Sequence, residues 1–140
     1  MIAIEALLRT MKDHLPQIPL FEERVFYDQA PQGTAYPYCV FVPVSGGGEN
    51  QRAGKDTADI VLQVTCFAED VLIALQGVDM INKMLKNQGE QEQGGISAVN
   101  HGWKITTITP QNSIFTTEIY EGVKPIYQHG KEYRFIMEEI

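Results

Sequence analysis

The spacing of apolar and polar positions changes several times along the chain, and each change marks an element boundary. Ile4, Leu7, Leu8 and Met11 recur at i, i+3, i+4 and i+7, which predicts an amphipathic helix over residues 2–14. Pro16 and Pro19 end it, because proline lacks the N–H that a continuing helix needs. Its other face carries Glu5, Arg9, Lys12 and Asp13 and reads as solvated. Residues 24–28 have strand character, Ala30-Pro31-Gln32-Gly33 reads as a tight turn, and residues 38–44 form a strand apolar on both sides, which predicts burial above and below. Pro43 cannot donate to a ladder, so that strand is expected to end, or to lie at a sheet edge, there.

Residues 57–67 alternate with period two. Ala58, Ile60, Leu62, Val64 and Cys66 share one face, expected to meet the core, and Thr57, Asp59, Val61, Gln63, Thr65 and Phe67 share the other. Solvent is the default for the second face, on which Val61 and Phe67 are the candidate contacts with another subunit. From residue 69 to 87 the period lengthens to 3.6, and Val71, Ala74, Leu75, Val78, Ile81 and Leu85 make a stripe expected to lie on the sheet. Glu69 and Asp70 suit its positive N-terminal end, Gly77 costs about 1 kcal/mol relative to alanine, and Met80 and Met84 read as packing. Strand character returns at 103–109, 114–120, 123–127 and 131–137, punctuated by Pro110, Gly122, Pro125 and Gly130, with Trp103 as a core anchor. The fold class is therefore α+β, a mixed or antiparallel sheet with two main helices packed on one face, in a single domain over residues 1–140.

Two segments interrupt this pattern. Residues 45–55 contain Gly46, Gly47 and Gly48 in succession and end in Gly54-Lys55. A phosphate-binding loop needs a glycine five positions before the Gly-Lys pair and a Ser or Thr after it; Glu49 and Asp56 occupy those places, and a strand follows where a helix should. The segment reads instead as a mobile hairpin connection. Fixing each backbone residue costs on the order of 1–2 kcal/mol, so ordering it is expected only against a neighbouring subunit. Gly46, Gly47, Gly48, Glu49, Arg52 and Lys55 are thus a candidate assembly-interface loop. Residues 87–95, with no apolar side chain and three glycines, read as a second flexible excursion.

Composition narrows the possible chemistry. A chain of 140 residues buries roughly 70% of its unfolded surface, enough for a core without disulfide staples. Cys39 and Cys66, the two cysteines, sit among apolar strand residues and read as small buried hydrophobes. No apolar run approaches the roughly 20 residues of a membrane helix, and no leader-like segment opens the chain, so a soluble cytosolic protein is expected. The net charge of −7 opposes binding to a polyphosphate. His14, His101 and His129 lie in separate segments with no metal-ligand spacing, no nucleophile elbow occurs, and the acidic residues show no pair that sequence alone would place in one cleft. Neither metal, cofactor nor catalysis is expected; a small-ligand-binding or enzymatic α+β domain would need a deep, partly polar pocket.

Arg24-Val25-Phe26-Tyr27, Ala30-Pro31-Gln32-Gly33, Tyr36-Pro37-Tyr38-Cys39-Val40-Phe41, Val44-Ser45 and the strand ending Val64-Thr65-Cys66-Phe67, taken in this order, resemble the tail-terminator or tail-completion proteins of long, non-contractile-tailed phages and prophages. The likeness covers residues 2–87, and Tyr133-Arg134-Phe135-Ile136 resembles the family's closing strand. It implies an α+β subunit of a six-membered ring that caps the finished tail tube and offers the head its docking surface. The partners implied are copies of itself, the tail tube protein and a head-completion or connector protein, with no membrane, and with DNA passing through without specific binding. The implied setting is the host bacterial cytoplasm during assembly and then the virion tail. A neck or connector component between portal and tail is the alternative within the same structural class.

Overall fold

A computed structural model describes residues 1–52, 55–86, 99–118 and 124–140. Helix α1 (Ala3–His14) is followed by two 3-10 turns, Leu15–Gln17 and Pro19–Phe21, and then by strands β1 (Val25–Tyr27), β2 (Tyr38–Arg52) and β3 (Lys55–Ala68). Helix α2 (Val71–Lys86) precedes β4 (Val99–Asn100), β5 (Trp103–Glu118) and β6 (Ile126–Glu139). The strands form one sheet in the order β1-β2-β3-β6-β5-β4. Among the described strands only β1 and β2 run parallel; the other neighbours are antiparallel. This is the α+β fold that the periodicities predict, with both helices on one face of a mixed sheet.

The core lies between that face and the helices. Ala58, Ile60, Leu62, Val64 and Cys66 of β3 point into it, beside Tyr133, Phe135 and Met137 of β6 and Cys39 and Phe41 of β2, all fully or almost fully buried. Helix α1 contributes Ala3, Ala6, Leu7 and Met11, with Ile4 and Leu8 packed at its margin. Thr10 is also buried, and its hydroxyl is satisfied by donating to the carbonyl of Ala6 at 2.8 Å. Trp103 is buried as expected and donates its indole N–H to the carbonyl of Met1 at 2.9 Å, tying the chain start to β5.

Helix α2 lays only part of the expected stripe on the sheet, with Val78 half-buried. Ala74, Gly77, Ile81 and Leu85 face the sheet, whereas Val71 and Leu75 are exposed, as are Leu72 and Met80. The cause is Gly77: with no side chain it lets the helix settle on Cys66, and a Cβ there would lie 2.9 Å from Cys66 Cβ and closer still to its Sγ. Ranked by hydrophobicity alone, the stripe is rolled away from that contact.

The strands are longer than the punctuation suggests. Pro110 does not split β5, because a register shift between Pro110 and Ser113 absorbs it, and Gly130 lies mid-strand in β6, paired with both Thr65 and Ile114. Pro43 likewise stays within β2, opposite Leu62, just beyond the part that β1 covers. Burial on both sides of β2 holds for Cys39, Val40 and Phe41 but fails at Val44, which is exposed.

Candidate assembly interface

The segment from Arg24 to Phe41 is a structural unit. The carbonyl of Arg24 accepts from the Cys39 N–H at 2.9 Å, and that of Phe41 accepts from the Asp28 N–H at 3.0 Å, which fixes β1 parallel to β2. The Arg24 guanidinium donates to the Pro37 carbonyl at 3.0 Å and to Glu22 at 2.7 Å, holding both ends of the intervening turn. Within that turn the Thr34 N–H donates to the Pro31 carbonyl at 3.2 Å around Gly33, whose φ is 85°. Tyr36 precedes Pro37 through a cis peptide bond.

On the sheet face away from the helices this unit builds an aromatic row. Tyr38 stacks on Phe67 with centroids 4.9 Å apart and on Tyr36 at 5.2 Å, and meets Phe26 edge-on at 6.2 Å. Burial, with Tyr36 beside it, pushes the Tyr38 hydroxyl up to about 12. Phe67 is thus half-buried beneath intrachain partners. Val61, also half-buried, stands six residues away on the same face, roughly 20 Å along the strand. The structure therefore puts both predicted contacts on the helix-free face without bringing them together. Beside Val61, its cross-strand neighbour Arg134 grips Asp59 through both carboxylate oxygens, with Nε at 2.8 and 3.0 Å and Nη2 closer.

The expected loop at 45–55 is mostly strand. Ser45 pairs with Val61, Gly46 with Ile60, Glu49 with Ala58 and Arg52 with Lys55, while residues 53 and 54 lie outside the described residues. The glycines do not open a loop, because two register shifts, Pro43/Ser45 and Gly46/Glu49, take up the extra residues as bulges while the alternating β3 templates the pairing. Gly46 has an intrachain reason for its identity: its φ is 95°, and a Cβ would strike the backbone of Asp59 and Ile60. Residues 87–95 lie outside the described residues.

Two surfaces escaped the sequence reading. Cys39, Cys66, His129 and Phe115 are cross-strand neighbours in one row over β2, β3, β6 and β5. The helix layer covers the first three, but Phe115 remains 63% exposed, edge-on to His129 at 4.9 Å. Beyond it, every residue from 109 to 117 of β5 is exposed except the half-buried Ile114. The second surface is backbone. Among the described residues β1 covers β2 only at residues 39–41, and β4 covers β5 only at residues 103 and 104, so most of the outer edge of each long strand faces no other described strand. The signal for β5 was legible: residues 105–117 contain no charged side chain.

The sequence profile of tail completion protein gp17 matches residues 4–112, well over half of the chain. The chain belongs to the tail completion protein gp17 family. The match runs past the helix α2 region and into β5, further than the motifs at the N-terminal end reach. No curated protein sequence matches. Among solved structures, a chain of the virion of a native gene transfer agent particle has the same fold, with a TM-score of 0.62, 10% identity, and coverage of 98% of this chain and 95% of that one.

In this member of the tail completion family the titratable groups are dispersed. Among the described residues no three His, Cys, Asp or Glu side chains are grouped to hold a metal ion, and no helix is long and apolar enough to cross a membrane. Burial raises both thiols, Cys39 well above its ordinary value and Cys66 to about 12, so neither is a nucleophile near neutral pH. The concavity lined by Ala30, Gln32, Tyr36, Tyr38 and Glu69 and the groove between α1 and Tyr27 both open broadly to the surface.

Proposed function

We propose that this chain is a non-enzymatic virion protein that closes the finished phage or prophage tail tube as a homohexameric ring and supplies the surface to which the head docks. The observation that carries this reading is membership in the tail completion family. The structure supports it in kind: a subunit of a ring needs two different complementary patches, and this sheet offers two different outer edges on opposite sides. The helix-free sheet face with Val61 and Phe67, and the hairpin with Gly46, Gly47, Gly48, Glu49, Arg52 and Lys55, are the candidate contacts with neighbours, the tube protein and a connector protein. With a net charge of −7, the ring lets DNA pass without holding it, since like charge opposes a lasting complex.

Native mass measurement of the purified chain across concentration, with negative-stain images, tests the proposal. The expected result is a closed particle of six chains that binds the end of polymerised tube protein. A chain that stays monomeric at every concentration, both alone and with tube ends, overturns it.

A further inference from the structure

We infer that neighbouring subunits join strand to strand, the outer edge of β5 in one copy pairing antiparallel with the outer edge of β2 in the next. The inference rests on the ring reading above and adds which backbone makes the contact. β2 and β6 run one way and β3 and β5 the other, so a rotation that keeps strand direction sets β5 of one copy antiparallel to β2 of the next. The two edges are complementary in polarity and lie on opposite sides of one sheet, which lets the contact propagate from copy to copy.

Extent agrees with direction. Past Phe41 no described strand covers β2, leaving residues 42–52, and from Thr107 to Thr117 no described strand covers β5. Residues 107–117 of β5 can face residues 42–52 of the next copy, eleven against eleven. Within one subunit Thr116 is level with Tyr38, through Gln128 and Phe67. The facing stretches therefore require the next copy to slide by about five residues, roughly 16 Å along the strand. That slide places the next copy's β1 below the end of β5 and keeps β4 clear of the next hairpin. A closed ring of tilted strands requires a stagger between neighbours.

Side chains point the same way. Exposed edges in monomers are guarded by charge, most often lysine. Residues 105–117 of β5 and 42–48 of β2 carry none, and Ile114, Phe115, Thr116 and Thr117 suit a paired strand. Each edge has a single proline, Pro43 or Pro110, and so at most one missing donor.

Cysteine pairs test this, since native Cys39 and Cys66 are buried. In assembled particles a short bis-maleimide is expected to link Ser45→Cys/Ile114→Cys chains, whose cysteines face each other in this register, into a ladder of covalent multimers, while Ile114→Cys alone stays unlinked. Dimers from Ile114→Cys alone mean a two-fold β5–β5 contact and overturn the inference. Wild-type rings whose double variant gives no ladder also overturn it while leaving the ring reading intact; a wild type that never assembles removes the ring reading itself. As a second arm, Asn112→Lys/Thr116→Lys is expected to raise the concentration needed for assembly by about tenfold or more with an unchanged monomer melting temperature. Unchanged assembly in that variant, with tube binding lost instead, assigns the β5 edge to the tube and overturns the inference.

Discussion

Gly77 of α2 lies directly on Cys66 of β3, so close that a methyl group on Gly77 has no room beside the Cys66 thiol. Helix propensity favours alanine here by about 1 kcal/mol. Overpacking a filled core costs about 1–3 kcal/mol, and the neighbour is the stem of a buried strand residue, so packing wins. Gly77→Ala is expected to lower stability in urea unfolding. Combining it with Cys66→Ala, which removes the sulfur, is expected to cost less than the sum of the two single changes. A Gly77→Ala chain more stable than wild type would show that the helix is free to lift.

His129 supplies an acid-sensitive site. It is 6% exposed, and its Nδ1 has no hydrogen-bond partner among the described residues. Burial lowers its pKa below the ordinary 6.5. The unfolded chain therefore takes up the proton first: the contribution of neutral His129 is complete above about pH 6.5 and is lost as pH falls through that value toward the folded one. His129→Phe is expected to flatten the stability profile between about pH 7 and 5 relative to wild type. Two parallel profiles over that window would refute the assignment.

Arg134 and Asp59 give a second titration, of opposite origin. The guanidinium holds the Asp59 carboxyl below its ordinary value, chiefly by hydrogen bonding. The pairing is present above the unfolded carboxylate value and is lost as pH falls through the folded one. Both side chains are nearly half exposed, so the clear readout is the titration rather than stability. Arg134→Gln is expected to return the Asp59 carboxyl to the ordinary range in a 13C NMR titration. An unmoved resonance would show that the pair does not form in solution.

Trp103 closes the core at the β4–β5 end and bonds to the Met1 carbonyl. Trp103→Ala is expected to cost about 3–5 kcal/mol. Trp103→Phe keeps most of the volume and loses the donor, so its expected cost is about 1–3 kcal/mol. Equal costs for the two would mean that the hydrogen bond, not the packing, holds the chain start.

The sequence by itself determined the α+β class, both helices, the inward face of β3 and the place of the turn between β1 and β2. Each rests on periods and residue types within one short segment. Family likeness was legible for the same reason, since Arg24, Gly33, Tyr38 and Phe67 lie in one segment and one strand end, and they proved to be the groups that hold β1 and the aromatic row. Only the tertiary structure decided that Val71 and Leu75 of α2 turn outward while Ala74, Ile81 and Leu85 face the sheet as expected, because the contact of Gly77 with Cys66 joins residues from different elements and outweighs a simple ranking by hydrophobicity. It also turned the glycine run at Gly46 into bulged strand, since β3 supplies pairing partners that the run itself does not encode. The edges of β2 and β5 that no described strand covers follow likewise from strand order. An edge is defined by the neighbour a strand does not have, and that is a property of the whole sheet rather than of any stretch of sequence.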